Sequence, residues 1–216
     1  VELYSFFNSS TSQRVRIALQ LKGVAHEYHG VNIRAGAHRD VYYLDNINPA
    51  GLVPAVVDGD FRLGQSLAII DWLDTRYPEP RLIPVESEIR MRVLELSYLI
   101  SCDMHPVNNL RMLKYLQDVL CATPTQKDAW YNHWIAQGMA GVEGLLVRAA
   151  RTLDGPWCFG PQPTLADCCL VPQMSNARRM GCDLSAFPRS RAVYEYASKH
   201  PAFVAAQPDQ QPDYIA

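Results

Sequence analysis

Residues 3–19, LYSFFNSSTSQRVRIAL, decide how this 216-residue chain is read. A short β-type run gives way at Asn8-Ser9-Ser10-Thr11 to a segment whose Val15, Ala18 and Leu19 keep helical spacing, with Gly23 as a natural stop. Serine and threonine at such a junction accept the unpaired N–H groups of a first helical turn. Working outward, HEYHGVNI (26–33) is a second strand, and GLVPAVVDGDFRLG (51–64) holds two β-runs around Asp58-Gly59, a hairpin signal. SLAIIDWLDTRY (66–77) is then a helix starting at Ser66. The order β-α-β followed by β-β-α describes a small mixed sheet with helices packed on it.

The grammar changes after PEPRLIPVESE (78–88), a proline-rich polar stretch that reads as a linker. Beyond it only helical patterns remain, over 87–120, 125–152, 164–181 and 186–200. Prolines at His105-Pro106 and Val171-Pro172 predict kinks or breaks, and QPDQQPDYIA (207–216) predicts an irregular tail. The expected class is α+β, with domains at 1–80 and 88–216 joined by 81–87.

Composition narrows the partners. With 48% hydrophobic and 19% charged residues the chain can bury a real core, and a net charge of −2 with no basic run argues against nucleic acid or anionic membrane. No stretch approaches the roughly 20 apolar residues of a membrane span, and VELYSFFNSS lacks the features of a signal peptide, so a cytoplasmic location is expected. All six cysteines (Cys102, Cys121, Cys158, Cys168, Cys169, Cys182) follow residue 101, none in a C-x-x-C pair. They read as small, mostly buried hydrophobes in a reducing compartment, and no metal site is expected.

Five blocks carry a family resemblance in the right order. LYSFFNSSTSQRVRIAL resembles the active-site segment of zeta-class glutathione transferases, usually SSC-x-x-R-V-R-I-A-L. NPAGLVPAVV (48–57) resembles the strand entry with the family's cis-proline, here Pro54, and GQSLAIIDWLD (64–74) the turn that holds the γ-glutamyl end of glutathione. DMHPVNNLRMLKYL (103–116) and PTLADCCLVPQMSNARRM (163–180) resemble its helical segments. Thr11 stands where that motif has cysteine, and Asn8 where the family often has arginine. The resemblance implies a thioredoxin-like N-terminal domain, an all-α C-terminal domain, a homodimer, and glutathione as cofactor.

The site residues follow from both readings. A helix N-terminus and a nearby hydroxyl both favour a thiolate over a thiol. The first half has no cysteine, so the thiol must arrive on a ligand, and the resemblance makes Ser9, Ser10 and Thr11 the catalytic candidates. Val53, extended before Pro54, is expected to pair with the cysteinyl part of glutathione like an added strand. Gln65 and Ser66, besides starting a helix, are expected at the γ-glutamyl carboxylate. His38, with Arg39 as an alternative, is expected at the glycyl end. Asp103, His105 and Asn109 are further cofactor contacts by resemblance, Asp103 reaching the glutathione of a neighbouring subunit. Arg111 and Arg179 are the expected ligands of substrate carboxylates. Thr164 and Asp167 have the spacing of a capping box, a structural role.

The resemblance implies cis–trans isomerisation of maleylacetoacetate or maleylpyruvate, small dicarboxylates of aromatic breakdown. The route is thiolate addition to the double bond, rotation, and elimination, with glutathione regenerated. A glutathione S-transferase or dehalogenase using the same thiolate is the alternative, and a non-catalytic binding protein on the same fold a lesser one.

Overall fold

In the computed structural model, which describes residues 1–215, the opening β-run forms β1 (Glu2–Ser5) and the segment after Ser9 forms α1 (Ser10–Leu21). β2 (Glu27–Gly30) returns parallel to β1, while β3 (Ala55–Asp58) pairs antiparallel with β1 and with β4 (Phe61–Gly64). The sheet order is β2-β1-β3-β4. The hairpin predicted at Asp58-Gly59 is present, with Asp58 opposite Phe61 and Gly59 at φ +60. On one face Ala55 and Val57 meet Val31, Tyr43 and Ile47, the last two contributed by or following α2 (Val41–Asn46). On the other side of the unit α1 packs against α3 (Ser66–Arg76) and α9 (Pro201–Ala205).

Leu82 and Ile83, expected in the linker, are buried. Their N–H groups donate to the Asp74 carboxylate at 3.0 and 2.6 Å, and Lys22 pairs with it at 2.7 Å. A buried carboxylate needs such donors, so the chain stays fixed to the first unit through Ile83. The end of the chain also departs from expectation. From Ser198 onward it clusters with Val1–Ile83 rather than with the helical unit, and the supposed irregular tail holds a 3₁₀ turn (Pro208–Gln210) and anchored residues beyond it.

The second unit, Pro84–Ala197, is helical. Its helices are α4 (Ser87–Tyr98), α5 (Leu110–Asp118), α6 (Pro124–Ala149), α7 (Leu165–Arg179) and α8 (Pro188–Ala197). The break expected at Pro106 exists: α4 widens into a π-helical turn, Leu99–Met104, and a 3₁₀ turn, Pro106–Asn108, precedes α5. At Pro172 there is no break, because α7 runs through it with its neighbours buried. Cys158, Cys168 and Cys169 are buried as expected; Cys102 and Cys121 are exposed, since they lie on solvent-facing turns at the two ends of the α5 region. Among the described residues no helix is long and apolar enough to cross a membrane, and no His/Cys/Asp/Glu group could hold a metal ion.

Thr164 and Asp167 form the expected capping box. Asp167 is wholly buried and accepts from the N–H groups of Cys158 and Thr164, both at 2.8 Å, and from the Thr164 hydroxyl at 2.9 Å. Burial pushes its carboxyl pKa up, offset in part by these bonds. Asp167→Ala strands two buried N–H groups, so a loss of about 3 kcal/mol is expected. Urea unfolding of the variant should show a lower midpoint with an unchanged m-value.

Candidate active site

The β1–α1 turn is held by an arginine inside α1. Arg16 is 2% exposed, yet donates to the carbonyls of Phe6 (3.2 Å), Phe7 (2.9 Å) and Ala206 (3.2 Å) and to the Ser5 hydroxyl (3.1 Å). Burial lowers its pKa to about 10, which leaves it charged at neutral pH. Ser9 closes the turn by donating its N–H to Phe6 at 3.0 Å and caps α1, its Oγ accepting from the Ser12 N–H at 3.2 Å. Counting hydrogens orders the rest. Thr11 donates its one hydroxyl hydrogen to the Val53 carbonyl at 3.1 Å. In the 2.9 Å Ser9–Thr11 contact, therefore, Ser9 is the donor. A directed chain runs from the Ser12 N–H through Ser9 and Thr11 to Val53. Ser10 is 4% exposed, whereas Ser9 is only partly buried.

The Val53-Pro54 bond is cis. Val53 lies beyond the β1–β3 ladder, whose last pair is Tyr4 with Ala55. The turn before it carries Gly51 at φ +57, where a Cβ would come within 2.8 Å of Arg39 Nη1 and 3.0 Å of the His38 carbonyl. Both candidates for the glycyl end thus lie against the same loop as Val53. Gln65 sits at φ +67, a left-handed conformation rare for glutamine, immediately before α3. Such strain is a feature of constrained functional turns. Ser66 begins the helix, nearly buried, and its Oγ accepts from Arg14 Nη1 at 3.3 Å. That bond leaves the Ser66 hydrogen available to an anion and sets a second positive charge behind it. Arg14 was missed by the sequence reading, which saw only a polar residue on a helix with no apolar periodicity to mark it.

In the helical unit the candidates fall into two groups. Asp103 is exposed in the π turn, His105 follows it partly buried, Asn109 caps α5 by accepting from Met112 N–H at 3.1 Å, and Arg111 is exposed in the first turn. At the end of α7, Arg178 lies over the Tyr194 ring at 5.3 Å, while Arg179 is exposed and donates to Asn176 at 2.9 Å. Tyr131 of α6, absent from the sequence reading, links the groups. Asn108 donates to its carbonyl at 3.1 Å, and the electrostatic field of Arg179 acts on its hydroxyl. Burial nevertheless pushes the Tyr131 pKa up to about 12, so it stays a neutral donor.

Comparison with known proteins agrees with this architecture. Residues 3–81 match the model of the glutathione S-transferase N-terminal domain, a thioredoxin-like fold. A maleylpyruvate isomerase from a Ralstonia species is 44% identical over 214 residues, 99% of each chain. The holo structure of a maleylpyruvate isomerase, described as a bacterial zeta-class glutathione S-transferase, superposes with TM-score 0.95 at 42% identity over all of both chains. A maleylacetoacetate isomerase from Methylobacterium extorquens AM1, crystallised with malonate and glutathione, gives TM-score 0.94 at 32% identity over all of both chains. With such identity along its whole length, this chain belongs to the zeta-class glutathione transferase family of the maleylacetoacetate and maleylpyruvate isomerases.

Proposed function

We propose that this protein is a glutathione-dependent cis–trans isomerase of a maleyl-type diacid, maleylacetoacetate or maleylpyruvate. The observation that carries the reading is the cap at Ser9, a polarised hydroxyl on a helix N-terminus, tied through Thr11 to the loop of the cis-proline. Its relatives' names and the glutathione and malonate bound in one of them point the same way. The residues fit glutathione: the Val53 strand end for its cysteinyl amide, Gln65 and Ser66 at the start of α3 for its γ-glutamyl carboxylate, and His38 for its glycyl end. When bound, glutathione supplies a thiolate that adds reversibly to the maleyl double bond and leaves after rotation about the resulting single bond.

Each protein group then has one task. Ser9 turns its hydroxyl hydrogen from Thr11 to the sulfur, which needs no backbone motion, while the Ser12 N–H keeps its oxygen in place. Ser10, almost fully buried, supports the turn. Thr11 keeps Val53 in register. In the helical unit Arg179 and Arg111 hold the diacid's carboxylates, and His105 or the Tyr131 hydroxyl donates to the developing enolate oxygen. Asn109 presents this turn through its cap. A cytoplasmic homodimer completes the reading, the exposed Asp103 reaching the neighbouring subunit's glutathione.

The deciding assay follows both diacids by ultraviolet absorbance, with and without glutathione, and counts free thiol at the end. Glutathione-dependent conversion with thiol unchanged is expected; stoichiometric loss of thiol would make the protein a transferase or dehalogenase. Ser9→Ala should lower kcat/KM by roughly a hundredfold, the scale of losing one transition-state donor. Ser10→Ala should cost less than Ser9→Ala, and the reverse order would exchange their roles. Arg179→Ala should raise KM for the diacid at least tenfold, since a charge-assisted bond contributes about 1.5–3 kcal/mol. Arg178→Ala removes only the contact with Tyr194 and should leave KM within a factor of two, roughly the reproducibility of such a comparison.

A further inference from the structure

We propose that Asp213, near the chain's C-terminus, is a positioning residue for the turn that presents Ser9, and so sets how well that turn ionises glutathione. The inference rests on the reading of Ser9 given above. Asp213 comes from a stretch whose composition suggested an irregular tail, yet both of its carboxylate oxygens are engaged. Oδ2 accepts from the Phe7 N–H at 3.1 Å, and Oδ1 from the Tyr28 hydroxyl at 2.6 Å. Tyr28 lies on β2, opposite Leu3 of β1, so the carboxylate spans from the sheet edge to the start of the turn. The Tyr214 ring meets the Phe7 ring edge-on at 5.4 Å between centroids.

Phe7 is thereby held on both polar backbone groups by partners far from it in sequence. Its N–H is taken by Asp213 and its carbonyl by Arg16 Nη2 at 2.9 Å. Two residues later Ser9 emerges, its own N–H bonded to the Phe6 carbonyl. The peptide that joins Phe6 to Phe7 is thus held at its carbonyl by Ser9 from within the turn and at its N–H by a carboxylate that the tail supplies. The tail needs a gap in which to sit, and Gly30 provides it. A Cβ at Gly30 would lie 2.8 Å from the Cβ of Asp213, closer than such atoms approach, and a tight 3.3 Å from its carboxyl carbon. Gly30 is not at a positive φ, so close approach and not backbone freedom accounts for glycine there.

Two variants probe the clamp independently: Asp213→Ala removes the carboxylate, and Gly30→Ala keeps it but displaces it. The readout is the pKa of the glutathione thiol bound to the full-length protein, followed by thiolate ultraviolet absorbance against pH, together with kcat and KM. Wild type should hold the thiol below the pKa of free glutathione. In both variants the thiol pKa should rise by about one unit and kcat/KM fall roughly tenfold at neutral pH, with KM for glutathione little changed. If either variant folds, the test stands. A lower melting temperature with thiol pKa and kcat/KM at the wild-type values would make the tail merely structural and overturn the proposal. A wild-type thiol pKa equal to that of free glutathione would overturn the Ser9 reading itself, and the proposal with it.

Discussion

A guanidinium inside a protein must find acceptors for its N–H groups or lose its charge, and Arg16 meets that demand with the backbone of the β1–α1 turn. The exchange is reciprocal. Where β1 ends at Ser5 its ladder stops; the Phe6 carbonyl takes the Ser9 N–H, and the Phe7 carbonyl depends on a side chain. Arg16 supplies donors to both and reaches Ala206 as well, so one side chain joins strand end, helix and C-terminal segment. The geometry of Ser9 is downstream of that single buried cation.

Much of this arrangement was legible in the sequence. Period and breakers were enough for the strands, the Asp58-Gly59 hairpin, the helix from Ser66 and the break at Pro106, because each is decided by residues a few positions apart. At Pro172 the helix is not broken: α7 continues through the proline, whose neighbours Val171 and Gln173 are buried, so packing outweighs the lost N–H bond. The linker and tail misled for the same kind of reason. Polar, proline-rich composition describes Leu82-Ile83 and Asp213 correctly as local sequence, but their places are fixed by Asp74 and by Phe7 and Tyr28, far along the chain.

The candidate site divides along the same line. Serines at a strand-to-helix junction, an X-Pro strand entry and a serine at a helix start all announce themselves locally. Arg14 behind Ser66 and Tyr131 beside Arg179 do not, because a buried polar residue is identified by its partner, and the partner is remote. Of the neighbouring pair at the end of α7, local pattern could not separate Arg178 from Arg179; the ring of Tyr194 beneath one of them does.

Thr11 is where this chain departs from the family's motif within the turn itself. In the family's usual motif a cysteine stands there, a weak donor and a weak acceptor. A threonine hydroxyl is strong in both senses, and here it uses both, taking the Ser9 hydrogen at 2.9 Å and giving its own to Val53 at 3.1 Å. Ser9 caps the start of α1 and Val53 belongs to the loop before β3, so one side chain joins the two parts of the proposed glutathione site. If Ser9 turns to a thiolate as proposed, the Thr11–Val53 bond still stands and the Val53 loop keeps its position. On the proposed mechanism Thr11 therefore holds the Ser9 hydrogen until a thiolate takes it and holds the Val53 loop in either state, without placing a second thiol beside the reactive one.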